Sequence, residues 1–173
     1  MNYLYSRSID TPLGRMVVQG SETHIQSLKF DNTVENLMGD KHPDWLEACD
    51  LQIAQYFSAQ RQVFDLPIDP QGSAFQQRVW QALLDVRFGD FASYQQLAHA
   101  IGNAQAVRAV ASANANNPIW LIIPCHRIIG SDLALRGYAG GVVRKAKLLA
   151  LEGAIISCDN INRVNEKTKL VVK

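Results

Sequence analysis

A thiol, an imidazole and a guanidinium stand side by side at Cys125-His126-Arg127, inside the stretch Ile123-Pro124-Cys125-His126-Arg127-Ile128. A thiolate is a strong nucleophile, and an imidazole can take a proton near neutral pH. Placed together they offer a nucleophile with its base. The apolar run Ile119 to Ile123 leads in and Ile128-Ile129 leads out, and runs of this length usually form buried strands. Burying three polar groups together is costly unless each finds a partner. Free cysteine is also among the most buried residue types, so a structural core thiol accounts for the same residues. On these six residues alone the two readings stand level.

Two more stretches carry chemical potential. Val142 to Leu151 has helical spacing with Leu148, Leu149 and Leu151 apolar, and Gly153 sits where a helix C-terminal cap belongs. Glu152 therefore faces the unfavourable end of the helix dipole, at a cost of about 0.3–1 kcal/mol. A carboxylate in that position suggests a specific partner; a solvated glutamate is the plainer alternative. Upstream, Arg136-Gly137-Tyr138-Ala139-Gly140-Gly141 is a glycine-rich loop whose backbone can come close to a flat ligand.

The elements that must position these residues fall into two parts. In the second part, Ser73 with Gln76 and Ser93 with Gln96 have capping-box spacing, and Phe75, Val79, Trp80, Leu83 and Leu84 form an apolar face. A short helix through Leu97, Ala98 and Ile101, a turn at Gly102-Asn103 and a helix from about Ala104 to Asn116 make a helix-turn-helix pattern. Val107, Val110 and Ala111 supply that last helix's buried stripe. The rest of it, including Ala109, Ser112 and Asn114, is small and neutral apart from Arg108. Such a face can approach a minor groove, about 6 Å wide, and one protruding Arg could enter a base stack. An alanine-rich interior helix with a solvated Arg108 fits as well.

In the first part, Tyr3 to Ile9 and Arg15 to Val18 flank a turn-rich pentad, Asp10 to Gly14, and His24 to Phe30 alternates as a half-buried strand does. Trp45, Leu46, Leu51, Ile53, Ala54 and Phe57 recur at helical spacing, with Pro43 near the start, where proline is tolerated. Leu66 to Gly72 breaks the pattern and marks a boundary. The predicted organisation is a domain over 1–70, a domain over 73–155 and a loosely ordered polar tail over 156–173. Cys49 reads as structural, and His24 and His42 as surface residues.

Composition bounds the possibilities. A 173-residue chain that is 47% hydrophobic can build one good core or two small ones. No apolar run approaches the roughly 18 residues of a membrane span. No secretory signal pattern is seen at the N-terminus. Cys49, Cys125 and Cys158 cannot all pair and none is near another, which points to a reducing compartment and away from disulfide or zinc frameworks. Residues 1–73 carry five basic against ten acidic side chains, and residues 74–156 carry eight against four. A basic second part fits a polyanionic partner, though a solvated surface shows such an excess by chance.

The stretch from Asn117-Pro118 through Pro124-Cys125-His126-Arg127 resembles the active-site signature of the O6-alkylguanine-DNA alkyltransferases. The resemblance continues through Phe75-Gln76, Val79-Trp80, Ser93-Tyr94-Gln95-Gln96-Leu97-Ala98, Arg108-Ala109-Val110, Gly137-Tyr138 with Gly140-Gly141, and Leu148-Leu149 with Glu152-Gly153. It implies an α/β (α+β) chain: a small ribonuclease-H-like sheet-and-helix lobe, then a mostly helical lobe with the helix-turn-helix. The implied act is direct reversal of DNA damage. O6-alkylguanine, and also O4-alkylthymine, is flipped out of duplex DNA, and its alkyl group passes once and irreversibly to Cys125.

By that resemblance His126 takes the thiol proton through a water, Glu152 orients His126, Asn117 fixes the cysteine turn, and Tyr94 donates to N3 of the leaving guanine. Arg108 fills the vacated stack and Tyr138 walls the base pocket. The amide of Ala139 donates to O6, and the carbonyls of Cys125 and Ile128 accept from the guanine amino group. Arg127, Ser93, Ala109, Ser112 and Asn114 complete the expected DNA-facing set. The resemblance also implies no cofactor, no metal and no membrane. It implies a monomer on the minor groove of double-stranded DNA, in the cytoplasm or, in a eukaryote, the nucleus. The zinc-binding domain of regulatory members has no counterpart here. Arg87 replaces a usual proline, Ala139 replaces a serine found in some members, and Asn114, Ala115 and Asn116 differ from the residues at the end of the recognition helix in some members. Two rivals are a helix-turn-helix module that binds lesions without chemistry and a thiol hydrolase using Cys125, His126 and Glu152; the hydrolase alone would turn over.

Overall fold

The computed structural model describes residues 4–31, 42–157, 161, 164–165 and 168–171. Tyr3, Cys158, Arg163, Lys167 and Lys173 lie outside them. The chain divides into two compact units, residues 1–71 with 118–122, and residues 72–117 with 123–173.

The first unit is an antiparallel meander with one helix. Strands β1 (Tyr5–Thr11), β2 (Gly14–Gly20) and β3 (Ile25–Phe30) lie in sequential order. The β1–β2 turn is tighter than the expected pentad: Pro12 and Leu13 suffice, because Gly14 takes φ 113° and Thr11 Oγ1 bonds back to the Gly14 carbonyl at 2.6 Å. Met16, Val17 and Val18 are consecutive yet all buried, as in a strand covered on both faces. Helix α1 (Asp44–Phe57) buries Trp45, Leu46, Cys49, Gln52, Ile53 and Tyr56, a 3.6-residue stripe. Leu51, expected on that stripe, is 58% exposed instead. Trp45 Nε1 donates to the Ser21 carbonyl, tying the helix to the end of β2.

The run Ile119 to Ile123 is buried but is not a strand. Only Ile119 bridges to β3, through Leu28; Leu28 N–H donates to the Pro118 carbonyl at 2.9 Å and Trp120 N–H to the Leu28 carbonyl at 2.8 Å. Leu121 then takes φ 68°, and the Ile122 N–H turns back onto the Trp120 carbonyl at 2.9 Å. A left-handed residue cannot continue a ladder, so the run closes into three-residue turns.

The second unit holds α2 (Ala74–Leu84), β4 (Ala92–Ser93), α3 (Tyr94–Ala100), α4 (Val107–Ala115), a 3₁₀ turn (Cys125–Arg127), β5 (Ile128–Ile129), α5 (Val142–Leu151), β6 (Ile155–Ile156) and β7 (Leu170–Val171). Both capping boxes form: Ser73 and Ser93 each accept from the amide three residues on, and Gln76 and Gln96 return the bond. Trp80 Nε1 donates to the Ala113 carbonyl at 2.9 Å, joining α2 to α4.

Helix α4 starts at Val107, later than expected. The end of α3 closes as a Schellman motif, with Gly102 N–H on the His99 carbonyl and Asn103 N–H on the Ala98 carbonyl, Gly102 being left-handed at φ 73°. A further turn, Ala106 N–H on the Asn103 carbonyl, uses the residues assigned to the first turn of α4. Its buried side chains are Val110, Ala113 and Asn114; Val107 and Ala111 are half-buried.

Strands β4 and β5 pair in parallel, and β6 and β7 antiparallel. The second pairing overturns the loosely ordered tail for its described residues. Val164 and Leu170 are buried with Ile129, Leu135, Ala146 and Leu149, and Leu170 N–H donates to the Leu133 carbonyl. Ile156 and Ile161 pack against the same cluster, and burial of these apolar side chains seats the segment.

Candidate active site

Pro124 builds the turn that carries Cys125. Its ring holds φ at −82° with ψ 61°, the centre of an inverse γ-turn, and Cys125 N–H closes it on the Ile123 carbonyl at 2.8 Å. Asn117 Nδ2 donates to the same carbonyl at 2.7 Å and hydrogen-bonds the thiol as well. Cys125 is 3% exposed and lines a cavity of about 540 Å³ with Tyr94, Arg108, Asn114, Tyr138 and Ala139. Burial pushes the thiol up to about 11, against the Asn117 hydrogen bond, the Lys145 charge and the amides of Cys125 and His126. A thiol held there is protonated near neutral pH and needs a base to react.

The imidazole expected as base and the carboxylate expected to orient it are paired next to it. His126 is fully buried, and Nε2 is 2.9 Å from Glu152 Oε1. Burial lowers the imidazole pKa despite the carboxylate beside it, so the ring is neutral. Glu152 is held well below the usual carboxylate range: burial pushes it up, but the His126 hydrogen bond and the hydrogen bond and charge of Arg127 outweigh this. An ionised carboxylate only accepts, so Nε2 carries the ring proton and Nδ1 is the basic nitrogen. Nδ1 makes no hydrogen bond to any described protein atom. Glu152 reaches this place because α5 ends in a Schellman motif. Gly153, at φ 99°, donates to the Ala150 carbonyl and Ala154 to that of Leu149, leaving Glu152 as the cap residue.

Arg127 corrects the expectation of a DNA-facing side chain. It is 6% exposed and grips Glu152 with two bonds of 2.9 Å, Nε to Oε2 and Nη2 to Oε1. Nη1 donates to the Val86 carbonyl at 2.6 Å. A planar guanidinium matches a carboxylate in this way, so Arg127 holds the Glu152 carboxylate in place. Ile128 also departs from expectation. It is fully buried and does not line the cavity, and its carbonyl accepts from Lys145 Nζ. Ser93 is likewise away from the cavity lining, its hydroxyl accepting from Gln96 N–H at 3.1 Å. Ala109 and Ser112 lie exposed on α4 beside Arg108. Tyr94 Oη donates to the Arg136 carbonyl at 3.4 Å.

Lys145 was not singled out from sequence. It is fully buried, and Nζ also donates to the carbonyls of Arg136 at 2.7 Å and Gly137 at 3.2 Å. One ammonium thus ties the loop that lines the cavity to β5, next to the nucleophile's turn. The signal was its phase: Lys145 precedes Leu148, Leu149 and Glu152 by three, four and seven residues, the buried face of α5.

Fold and site together define a protein with a helix-turn-helix and a buried cysteine backed by a histidine–glutamate–arginine cluster. The family model described as "6-O-methylguanine DNA methyltransferase, DNA binding domain" matches residues 74–154, and its "ribonuclease-like domain" matches residues 4–70. The constitutive methylated-DNA–protein-cysteine methyltransferase of Bacillus subtilis is 39% identical over 157 residues, covering 86% of this chain and 94% of its own. The methylated-DNA–protein-cysteine methyltransferase of Methanosarcina barkeri is 40% identical over 159 residues, covering 86% and 97%. The crystal structure of Mycobacterium tuberculosis OGT in complex with DNA matches with a TM-score of 0.77 and 39% identity, over 85% of this chain and 91% of that one. The chain belongs to the 6-O-methylguanine DNA methyltransferase family. No described helix is long and apolar enough to cross a membrane.

Proposed function

We propose that this protein repairs DNA by direct reversal, taking the alkyl group from O6 of guanine onto Cys125 Sγ, once per chain. His126 Nδ1 accepts the thiol proton through a water, and Glu152, held by Arg127, keeps Nε2 protonated. The thiolate attacks the alkyl carbon; the carbon–O6 bond breaks as the carbon–sulfur bond forms. The electron pair leaves on the purine, which recovers the proton, and Tyr94 stabilises the charge developing at N3. The thioether has no leaving group that water displaces, so each chain acts once. The observation that carries this reading is the Glu152–His126 pair, with Nδ1 left as the basic nitrogen, behind a cysteine that lines a base-sized cavity.

A base in a duplex cannot reach a buried sulfur, so it must be extruded. Arg108, exposed on α4 and part of the cavity lining, fills the gap in the stack, and the small face of α4 enters the minor groove. Tyr138 walls the pocket, and the Ala139 amide donates to O6. O4-alkylthymine is a second substrate. The protein acts as a monomer. The free thiols of Cys49 and Cys125 suit the reducing cytoplasm or nucleus.

The test is intact-mass analysis after incubation with duplex DNA containing O6-methylguanine. The expected product is one added methyl group, located on the peptide carrying Cys125. Unmodified protein that still binds the DNA would mean lesion recognition alone, and more than one turnover per chain would mean a hydrolase.

A further inference from the structure

The cavity wall is unevenly anchored. Tyr94 and Arg108 line it from α3 and α4, where helical hydrogen bonds fix the backbone. Arg136, Gly137, Tyr138 and Ala139 line it from a loop outside any helix or strand. The entry to that loop is held by the C-terminal segment, which lies beyond residue 154, past the end of the matched DNA-binding domain. Ala134 bridges antiparallel to Lys169. On either side of the bridge the Leu133 carbonyl accepts from Leu170 N–H at 3.0 Å, and Leu135 N–H donates to the Thr168 carbonyl at 2.8 Å. Leu135 is fully buried in one cluster with Val164 and Leu170. Successive residues of an extended strand turn their backbone groups to opposite edges, and the segment uses both. Lys169 N–H donates to Ser157 Oγ at 3.0 Å, and its carbonyl accepts from Ser157 N–H at 2.9 Å and Oγ at 2.8 Å. Residues 168–170 therefore join the chain leaving α5, the helix that Glu152 caps, to the stem of the cavity loop.

Resting on the proposed function, we infer that Thr168, Lys169 and Leu170 form a strap that positions Tyr138 and Ala139 for the extruded base, so that the C-terminal segment takes part in alkyl transfer. The strap touches no substrate and acts through the loop. Lys145 Nζ holds the next residues, Arg136 and Gly137, but a single ammonium is a point about which a loop can turn. Two backbone bonds flanking a bridge also fix the direction in which the chain enters the cavity wall. Transfer between a sulfur and a base held by that wall is sensitive to such placement: a shift of about 1 Å can cost roughly 10²-fold in rate.

The experiment compares the unmodified full-length protein with Leu170→Asp, Leu170→Ala and Val171→Asp. Amide hydrogen exchange is followed by mass spectrometry. Single-turnover transfer from duplex O6-methylguanine is measured over a range of DNA concentrations, which separates the limiting rate from half-saturation. Leu170 is 4% exposed, so a carboxylate there should unseat the strap. Exchange in residues 133–139 should rise roughly tenfold or more, with α2 and α4 unchanged. The limiting rate should fall about ten- to a hundredfold, while half-saturation, set mainly by phosphate contacts, moves less than about threefold. Leu170→Ala keeps the amide donor and should show the same pattern more weakly; it decides the matter if Leu170→Asp does not fold. Val171 is 47% exposed, and Val171→Asp should leave both readouts unchanged. Exchange that rises evenly over the whole chain, or a faster-exchanging loop with the original limiting rate, overturns the assignment and leaves the segment a role in stability alone. Absence of transfer by the unmodified protein would instead overturn the repair reading, and the exchange data would still show whether the strap holds the loop.

Discussion

Two buried thiols, Cys49 and the proposed nucleophile Cys125, sit in opposite electrostatic surroundings. Cys49 on α1 is sealed in the first unit, where burial, then the neighbouring Asp50 carboxylate, pushes its thiol far above the ordinary range; only Arg7 opposes them. Cys125 is as deeply buried, and burial again raises it, but to about 11, because every other influence on it lowers it. It has an asparagine on the sulfur, a lysine charge nearby, two backbone amides and a basic imidazole nitrogen next in sequence. Burial is common to both; the surrounding donors and the base are not.

The largest expected effect breaks this comparison outright. Cys125→Ala should abolish alkyl transfer while lesion-containing DNA is still bound, as read by mobility shift. Cys49→Ala should leave the transfer rate unchanged and cost roughly 1 kcal/mol of stability. Loss of transfer in the Cys49 variant would mean the two thiols were wrongly ranked.

Next in size is the base. His126→Gln should lower the transfer rate by about 10²–10⁴, the usual contribution of a positioned base. The same residue should shape stability against pH. Its folded pKa is depressed from 6.5, so below that value the unfolded chain binds more protons than the native one, and stability is lost on acidification. Glu152, depressed from 4.5, adds a second loss below its own unfolded value. Thermal unfolding of the unmodified protein should therefore show a falling midpoint from about pH 6.5 downward. In His126→Gln the decline should start near pH 4.5. An identical profile in the two proteins would exclude a buried neutral imidazole.

What could be read in advance follows chemical locality. Both capping boxes, the span of α5, Gly153 as its cap and Glu152 as a carboxylate with a specific partner all rest on neighbouring residues, and all were legible. The roles of Arg127 and Lys145 were not, because a charged side chain reads as surface by type and only tertiary placement reveals its buried partners. The apolar run Ile119 to Ile123 announced burial correctly but not its dihedrals, since a left-handed Leu121 leaves no mark in composition. The fold of the tail was hidden because the apolar residues that carry it, Ile156, Ile161, Val164 and Leu170, are spread through a polar segment with no sustained helix or strand period.

Lys145 offers the third test. Lys145→Met should slow transfer about tenfold or more, by freeing the Arg136–Gly137 backbone and removing a charge that favours the thiolate. The rate–pH profile with free O6-benzylguanine should move to higher pH. Leaving buried carbonyls unpaired should cost about 1–3 kcal/mol each. A variant that is destabilised but keeps the original pH profile would assign Lys145 to loop support alone.

The smallest effect compares the C-terminal ends of α1, the helix that carries Cys49, and of α5, which Glu152 caps. Both close as Schellman motifs: Ala59 and Gln60 donate back to Tyr56 and Gln55 at the end of α1, as Gly153 and Ala154 do at the end of α5. The left-handed residue is glycine in α5 but alanine in α1, at φ 59°. An L-residue there costs roughly 1–2 kcal/mol, while glycine's unfolded-state freedom returns about 0.4–1. Ala59→Gly should therefore stabilise the protein by a few tenths to about 1 kcal/mol in urea unfolding, with transfer untouched. Gly153→Ala should destabilise by a similar amount and also slow transfer, because the residue it strains is the one that aims Glu152. If Gly153→Ala lost stability alone, the cap would support the helix without setting the carboxylate's position.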